Sequence, residues 1–385
     1  KTMIQPGSKT LNFFKTVYRL MVYGNERRKQ AREIPIKIRQ NRLLPEMFNR
    51  NSKKLIIFLV PGADWKSGKD RISGGVLSIV SICEETGTLK NIHDAETILC
   101  TLRGDHHFLK HETFLNKTPV FRFGQIPFFF RQTEEVTLHI PEFMVTSFLS
   151  SLVRDDVNWL RRKKEVHINI MNQNISLMPP RETIESLKSM ARLTTITTAH
   201  QKYCTGEFRE LYGVPIHKLS VWISPEKYLY KKWHQKEDLM VVSPDPHPAR
   251  EKIFEHLQKV RGLKIQVIQN LTYEAYKELI SKAKWSLTFG EGLDGYFIEP
   301  VFSGAVSFAV YNEEFFTPDF KSLPTVYPSY DELLENICMQ ISELNDGEKF
   351  EAYNKQQFDL CAKYYSHDTY RDNIRKFYQG LYTFP

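Results

Sequence analysis

Residues 285–312 read WSLTFGEGLDGYFIEPVFSGAVSFAVYN, and this stretch decides the fold that the sequence predicts. An apolar run at 285–289 precedes a loop with three glycines. The segment 296–303 can form a helix, which Gly304 ends before a second apolar run at 306–310. Short apolar runs separated by a glycine-rich loop and a helical segment are typical of α/β proteins. We therefore predict a strand, a loop, a helix and a strand in this order.

The same alternation extends through most of the chain in two series, and a polar, lysine-rich segment at 222–237 is the predicted linker between them. Alternation of this kind favours parallel sheets covered by helices. We divide the chain into a basic extension at 1–50, a first domain at 51–222, a second domain at 223–365 and a C-terminal helix at 366–385. The predicted strands are 54–60, 97–102, 120–123, 136–140, 166–171, 194–198, 239–242 and 264–268, and the predicted helices are 76–84, 141–153, 181–190, 249–260 and 273–283.

The glycine-rich loop has the chemistry of a phosphate site. Glycine lets the backbone approach a ligand closely, and the N–H groups at the start of a helix attract an anion such as a diphosphate. Glu291 lies in the loop and Glu299 near the start of the helix, with seven residues between them. Carboxylates accept hydrogen bonds from hydroxyl groups, so we pair Glu299 with a ribose diol and Glu291 with sugar hydroxyls beyond the diphosphate. The pattern predicts a nucleotide-sugar site.

Glu-x7-Glu after a glycine-containing strand end, followed by Ser303, Gly304 and Ala305, resembles the donor site of retaining glycosyltransferases of the GT-B fold. That resemblance implies an α/β protein with two Rossmann-like domains that face a cleft, and a last helix that crosses back onto the first domain. Glu291 would be a catalytic residue. The implied donor-binding residues are Gly290, Gly292, Leu293, Asp294, Gly295 and Glu299, together with Gly74 and Gly75 in a glycine loop of the first domain.

A glycosyltransferase must stabilise the diphosphate that leaves, with either a metal ion or basic groups. The sequence contains no Asp-x-Asp motif, so we expect no metal. Arg250 and Lys252 resemble the basic pair that such enzymes place on the diphosphate, although residues two apart cannot point the same way on a helix. His200 and Asn172, the latter in an Asn-Gln-Asn run, follow predicted strands and are candidate acceptor residues. We interpret the histidine-containing stretch 105–112 as a solvated loop.

The resemblance also implies the course of the reaction. Configuration at the anomeric carbon would be retained, with the leaving phosphate helping to deprotonate the acceptor hydroxyl and with no protein nucleophile. Bacterial surface-polysaccharide enzymes, including rhamnan-forming rhamnosyltransferases, look similar in the C-terminal stretch. We therefore predict transfer of a sugar from a nucleoside-diphosphate sugar, with dTDP-rhamnose as one candidate donor, to a growing surface glycan or a lipid-linked glycan.

The basic character of the chain is local. The net charge is +8, and residues 1–50 hold 12 Lys and Arg against 3 Asp and Glu, whereas the remainder holds 41 against 42. Basic and apolar residues interleave at 9–42. This segment either contacts anionic lipid headgroups or packs as a helix on the body of the protein. We do not expect nucleic-acid binding, because no recognition module accompanies the basic residues.

The five cysteines are widely spaced and never form a Cys-x-x-Cys pair, which is typical of a reducing compartment. No apolar run approaches the roughly 18 residues of a membrane-spanning helix, and no signal peptide pattern is visible. We expect a cytoplasmic protein, located at the inner face of the plasma membrane if the basic segment binds lipid.

Two alternatives stay open. Gly290, Gly292 and Gly295 spell G-x-G-x-x-G, and Glu313 follows the last of them by 18 residues, as an NAD-dependent oxidoreductase would require. Against this reading, Glu291 would lie beside the pyrophosphate, Pro300 would interrupt the helix, and two predicted strand–helix units precede the loop. The other alternative is a polysaccharide-assembly scaffold with an inactive site, which would bind no nucleotide.

Overall fold

The computed structural model describes residues 38–62, 74–103, 119–220, 223–269 and 271–385. They form two β-sheets in which neighbouring strands run parallel, so the α/β prediction is confirmed. The first sheet contains β1 (Lys54–Leu59), β2 (Glu96–Thr101), β3 (Val120–Arg122), β4 (Glu135–Pro141), β5 (Glu165–Asn172), β6 (Leu193–Thr198) and β7 (Ile216–Lys218). The second contains β8 (Glu237–Val242), β9 (Lys264–Val267), β10 (Ala283–Leu287), β11 (Val306–Val310) and β12 (Val326–Tyr327).

Helices cover both sheets, and their apolar stripes form the cores of the two domains. In the first domain they are α1 (38–47), α2 (Gly74–Thr88), α3 (Lys90–His93), α4 (Ile126–Phe129), α5 (Val145–Ser151), α6 (Arg154–Arg161), α7 (Arg181–Lys188) and α8 (Gly206–Tyr212). The remainder are α9 (Arg250–Leu257), α10 (Tyr273–Lys282), α11 (Gly295–Phe302), α12 (Tyr330–Leu344), α13 (Gly347–Tyr364) and α14 (His367–Tyr378).

The strand order of each sheet creates a crevice at its carboxyl end. The first sheet has the order β3-β2-β1-β4-β5-β6-β7, and the second has the order β12-β11-β10-β8-β9. In both, the chain builds outward on one side of the first strand and then returns to build on the other side. Loops diverge at such a reversal, and open α/β sheets bind ligands there. The expected ligand-binding edges are therefore the ends of β1 and β4 in one domain and of β8 and β10 in the other.

The last helix and the C-terminal tail pack on the first domain. Tyr370 and Ile374 of α14 are buried in the core cluster formed by α2 and β1. The hydroxyl of Tyr378 lies 2.9 Å from Nε2 of the buried His139 on β4. Beyond the helix, Phe384 exchanges two backbone hydrogen bonds with Ile216 on the edge strand β7. The last helix and the residues after it are therefore held on the first domain.

Residues 223–237 of the predicted linker contribute Ile223 and Tyr228 to the core of the second domain, which was predicted to begin at residue 223. Their aromatic and apolar side chains pack there, although the surrounding sequence is polar. One local expectation was wrong. Pro300 does not interrupt α11, which runs from Gly295 to Phe302 with the proline inside it. A proline in the sixth helical position removes one hydrogen bond to the first turn, and the buried packing of α11 compensates for this loss.

Some expectations concern residues outside the described part of the chain. Most of the basic segment, at 1–37, and the histidine-containing stretch at 105–112 lie there, as does the start of the glycine loop before Gly74. Among the described helices, none is both long enough and apolar enough to cross a lipid bilayer.

Candidate functional site

The loop between β10 and α11 is held in shape by its own side chains. Asp294 caps the helix, because its Oδ1 accepts a hydrogen bond of 3.1 Å from the backbone N–H of Phe297. Its Oδ2 accepts a second bond of 3.1 Å from the hydroxyl of Thr288 at the end of the strand. Gly292 has a φ of +90°, and a Cβ at this position would overlap the ring of Phe316. The carboxylate of Asp294 therefore lies at the start of the helix, and a diphosphate bound there would lie next to it.

A second acidic loop, which follows β8, approaches the same point. A Cβ on Gly290 would lie 2.9 Å from Oδ2 of Asp245 and 3.2 Å from Oδ2 of Asp294, so a larger residue would displace the side chain of Asp245. Burial and the nearby carboxylates raise the pKa of Asp294 to about 7. Burial and Asp245 likewise raise the pKa of Glu291 to about 7. Near neutral pH these two groups are therefore partly protonated, which lowers the negative charge that faces a bound anion.

Glu299 lies among tyrosines. Its side chain is almost fully buried, and the hydroxyl of Tyr273 lies 3.5 Å from its Oε2. Tyr228 and Tyr276 are further hydrogen-bond partners of this carboxyl group, and the hydroxyls of Tyr228 and Tyr273 are 3.0 Å apart. Burial raises the pKa of Glu299 to about 8. The sequence indicated a ribose-binding carboxylate here, and the structure gives that carboxyl group partners from two other segments, the stretch before β8 and the helix α10.

Glu299 gives the fold a pH dependence that can be isolated by substitution. Its folded pKa is raised, so its contribution to stability is present below the unfolded pKa of about 4.3 and is lost as pH rises through about 8. Glu299→Gln cannot ionise. We expect the stability of the wild type to fall relative to that of Glu299→Gln by about 2 kcal/mol between pH 6 and pH 8, measured by urea denaturation. If the free energy of unfolding depended on pH in the same way in the wild type and in Glu299→Gln, Glu299 would not be a buried, protonated group. Glu313 is exposed, so Glu313→Gln serves as the control and should behave as the wild type does.

The predicted basic pair lies at the start of α9. Arg250 donates hydrogen bonds from Nη1 to the backbone oxygens of Pro244 (3.1 Å) and Asp245 (2.8 Å), and its guanidinium lies over the ring of Phe289. Lys252 is exposed. Arg250 therefore fixes the loop that carries Asp245, whereas Lys252 projects from the helix into solvent. The structure does not bring the two side chains together at the glycine-rich loop.

An aromatic surface lies beside this loop, and the sequence analysis missed it. The rings of His247 and Tyr330 stack with centroids 3.7 Å apart. Phe289 is parallel to Tyr330 at 5.9 Å, and its carbonyl oxygen accepts a hydrogen bond of 3.2 Å from the hydroxyl of Tyr330. Flat aromatic groups of this kind stack well on nucleobases. His247, in the proline-rich loop after β8, is the residue from which the sequence could have indicated this surface.

Residues of the first domain lie opposite the glycine-rich loop of the second domain. Asn174, two residues beyond β5, donates a hydrogen bond of 3.1 Å from Nδ2 to Oε1 of Glu291, so the two domains meet at the glycine-rich loop. Glu142, which follows β4, accepts a bond of 3.0 Å from the backbone N–H of Asn174. Gln173 donates to the carbonyl oxygen of Gly75 at 3.1 Å, which places the start of α2 beside the same strand end.

The remaining predicted residues take the following positions. Gly74 is exposed at the first residue of α2, and no atom lies within 4 Å of where its Cβ would be. Leu293 is buried in the core of the second domain, and Gly295 is the first residue of α11. His200 and Asn172 are buried at the ends of β6 and β5. Within the described residues, no group of three or more His, Cys, Asp and Glu side chains is arranged to hold a metal ion.

The dinucleotide alternative does not fit the sheet. In a dinucleotide-binding fold the G-x-G-x-x-G turn follows the first strand of the domain. Here the three glycines follow β10, the third strand of the second sheet in chain order.

No protein-family model and no curated protein matches this chain. Solved structures do match it. An α-glucosyltransferase in complex with UDP-glucose and DNA containing an abasic site has a TM-score of 0.52 and 11% identity, over 85% of this chain and 99% of its own. Anabaena HepE in complex with UDP-glucose has a TM-score of 0.53 and 11% identity, over 85% and 100%. An α,α-trehalose-phosphate synthase from Burkholderia xenovorans in complex with glucose-6-phosphate has a TM-score of 0.51 and 11% identity, over 84% and 100%.

These similarities concern the fold, because the identities are far below those at which an activity can be transferred. They cover nearly the whole length of each of the three proteins and most of this chain. The architecture expected from the Glu-x7-Glu stretch is therefore confirmed: the protein has the GT-B fold of nucleotide-sugar glycosyltransferases, with two Rossmann-like domains.

Proposed function

We propose that this protein is a glycosyltransferase that moves a sugar from a nucleoside-diphosphate sugar to an acceptor hydroxyl. The observation that carries the proposal is the hydrogen bond between Asn174 and Glu291, which joins the carboxyl edges of the two sheets at the glycine-rich loop. A group that is to be transferred must contact a donor site and an acceptor site at once. A carboxylate on the donor loop that lies against the opposite domain is placed for this purpose.

Different groups of residues are suited to bind the base, the diphosphate and the sugar of the donor. The aromatic surface of His247, Phe289 and Tyr330 suits a stacked nucleobase. The loop at 290–295 suits the diphosphate, and Glu291 suits the sugar hydroxyls. UDP-glucose is the first donor to test, because two of the similar structures are described with it. dTDP-rhamnose remains a proposed donor on the strength of the sequence resemblance alone.

The acidic surroundings of the diphosphate require an explanation. Asp294 and Glu291 each have a pKa of about 7, so near neutral pH a large fraction of these groups carries a proton. A protonated carboxyl group carries no charge, whereas an ionised one repels a phosphate oxygen. We propose a reaction with retention and without a metal ion, in which the acceptor hydroxyl transfers its proton to an oxygen of the departing diphosphate. The bond from the anomeric carbon to that diphosphate breaks as the bond to the acceptor oxygen forms.

The location and the biological acceptor are proposals with narrower support. Arg39, Arg42 and Arg50 are exposed on and after α1, and Phe128 on α4 is 72% exposed beside Arg131. A basic surface with an exposed aromatic ring suits the headgroups of an anionic bilayer. We propose a cytoplasmic enzyme at the inner membrane face that extends a surface or lipid-linked glycan. Sedimentation with vesicles containing phosphatidylglycerol but not with pure phosphatidylcholine is expected, and equal behaviour would exclude the charged contact.

The donor proposal is tested by the melting temperature of the protein with UDP, GDP, dTDP and NAD added singly. A ligand at 100 times its Kd stabilises the folded state by about 2.7 kcal/mol, which is a readily measured shift. We expect one nucleoside diphosphate to raise the melting temperature and NAD to have no effect. A shift with NAD alone would support the oxidoreductase instead. No shift with any of the four would favour an inactive assembly protein.

A further inference from the structure

Three neighbouring strands of the first sheet each end in a buried polar side chain with one unpartnered atom. β4, β5 and β6 are adjacent, and Glu142, Asn172 and His200 stand at their carboxyl ends. The three side chains are 2%, 1% and 9% exposed. Oε2 of Glu142, Oδ1 of Asn172 and Nδ1 of His200 have no hydrogen-bond partner within the described part of the chain. Buried polar atoms are almost always paired, so three such atoms on adjacent strands indicate a missing partner.

All three atoms are hydrogen-bond acceptors. Nε2 of His200 lies 2.8 Å from the carbonyl oxygen of Gln173, so Nε2 carries the hydrogen. Burial lowers the pKa of His200 to about 4, and the ring is therefore neutral with a lone pair on Nδ1. The amide nitrogen of Asn172 is directed to the hydroxyl of Thr198, which leaves Oδ1. Glu142 uses Oε1 to accept the N–H of Asn174, which leaves Oε2. Burial raises the pKa of Glu142 to about 7, so Oε2 is an acceptor in the ionised form that predominates at pH 8.

The three acceptors lie at the cleft between the domains. The backbone N–H that binds Glu142 belongs to Asn174, whose side chain contacts Glu291 of the second domain. The rings of His200 and of Phe315 in the second domain pack in a T-shaped arrangement, with their centroids 5.0 Å apart. Neighbouring strands are about 4.8 Å apart, so the ends of three strands span about 10 Å. The group of acceptors thus faces the donor loop over the width of a small ligand.

We propose that Glu142, Asn172 and His200 form the acceptor subsite, and that its ligand is an uncharged polyhydroxyl sugar that donates hydroxyl hydrogens to all three. This inference rests on the proposed glycosyl transfer and specifies the acceptor class. A phosphate dianion or a carboxylate has no hydrogen to donate to Oδ1 of Asn172 or Nδ1 of His200, and at pH 8 it would also be repelled by Glu142, which is largely ionised there. The subsite therefore excludes a phosphorylated sugar at these atoms, unlike the synthase that is described with glucose-6-phosphate.

The test uses the full chain with UDP-glucose, or with the sugar nucleotide whose nucleoside diphosphate raises the melting temperature. Release of the nucleoside diphosphate is followed with p-nitrophenyl glucoside, galactoside and mannoside as neutral acceptors, and with glucose-6-phosphate as the charged one. We expect transfer to at least one neutral glycoside and none to the phosphate. At pH 8, where Glu142 is largely ionised, Glu142→Gln should raise the acceptor KM about tenfold or more, because a hydrogen bond to a charged group contributes about 1.5 to 3 kcal/mol. Asn172→Asp, which preserves shape, should also change the acceptor KM.

Glu134→Gln is the matched control. Glu134 is paired with Lys53 and Lys164 at the opposite, amino-terminal edge of the same sheet, so its substitution should leave the acceptor KM unchanged. The shift of melting temperature with the nucleoside diphosphate reports whether each variant still folds and holds the donor. Preference for glucose-6-phosphate, an unchanged acceptor KM in Glu142→Gln, or donor binding without transfer to any neutral glycoside would overturn the acceptor assignment. Absence of donor binding in the wild type would instead overturn the proposed function.

Discussion

Glu291→Ala should lower kcat/KM for glycosyl transfer about 100-fold and, at the same time, tighten the binding of UDP. The first effect follows because the carboxylate accepts hydroxyls of the transferred sugar, and loss of a hydrogen bond to a charged group costs about 1.5 to 3 kcal/mol. The second follows because Glu291 lies with Asp245 and Asp294 around the diphosphate loop. At pH 8, the pH chosen for these measurements, Glu291 is largely ionised because its pKa is about 7, and removal of its charge favours a bound anion by about 1 kcal/mol. Initial rates and isothermal titration with UDP measure the two effects.

The opposite signs make this prediction specific. A variant that merely unfolds the loop would weaken both UDP binding and transfer. Glu313→Ala is the control, because Glu313 is exposed beyond the following strand and should change neither quantity. If Glu291→Ala weakened UDP binding while it lowered transfer, Glu291 would be a structural residue of the loop. If transfer were unchanged, the sugar would lie elsewhere.

The architecture was predictable because parallel strands are buried on both faces. β1 reads KLIIFL and β11 reads VSFAV, and runs of this kind are recognisable without any partner. β12 was missed because it contains only two residues, and β7 was missed because its three residues, IHK, include a single apolar side chain. α13 was missed because polar residues such as Asn354 and Gln357 stand on its buried side. Gln357 bonds Ser307 on β11, and Asn354 bonds the carbonyl oxygen of Ala305 just before that strand.

The candidate site was likewise predictable from the sequence only in part. The glycine-rich loop and its two glutamates were recognisable, since their spacing is local. The partners of those glutamates come from distant segments and leave no local pattern: Asn174 and Glu291 are separated by 117 positions. Glu142 was also missed, because a single carboxylate after a strand is unremarkable until the neighbouring strand places Asn174 against it. The tyrosines around Glu299 likewise come from segments that were interpreted as linker and helix core.

The largest expected loss of stability concerns Gly304, where α11 turns into β11. Gly304 has a φ of +87°, and a Cβ there would overlap the backbone oxygen of Lys231. The segment at Lys231 cannot withdraw freely, because its N–H donates to the carbonyl oxygen of Ser303 at 3.1 Å. The buried ammonium of Lys236 donates to the same oxygen at 2.9 Å and to those of Ser281 and Ala283. A side chain at Gly304 therefore disturbs a whole group of hydrogen bonds.

We expect Gly304→Ala to lower the free energy of unfolding by about 3 kcal/mol or more, measured by urea denaturation. The left-handed backbone contributes about 1 to 2 kcal/mol, and the displaced hydrogen bonds at Ser303 contribute the remainder. Gly262→Ala separates the two causes, because Gly262 has a φ of +82° but no atom within 4 Å of the added Cβ. That control should lose only about 1 to 2 kcal/mol. Equal losses in the two variants would show that the segment at Lys231 yields, and that its approach to α11 is not needed for the stability of the second domain.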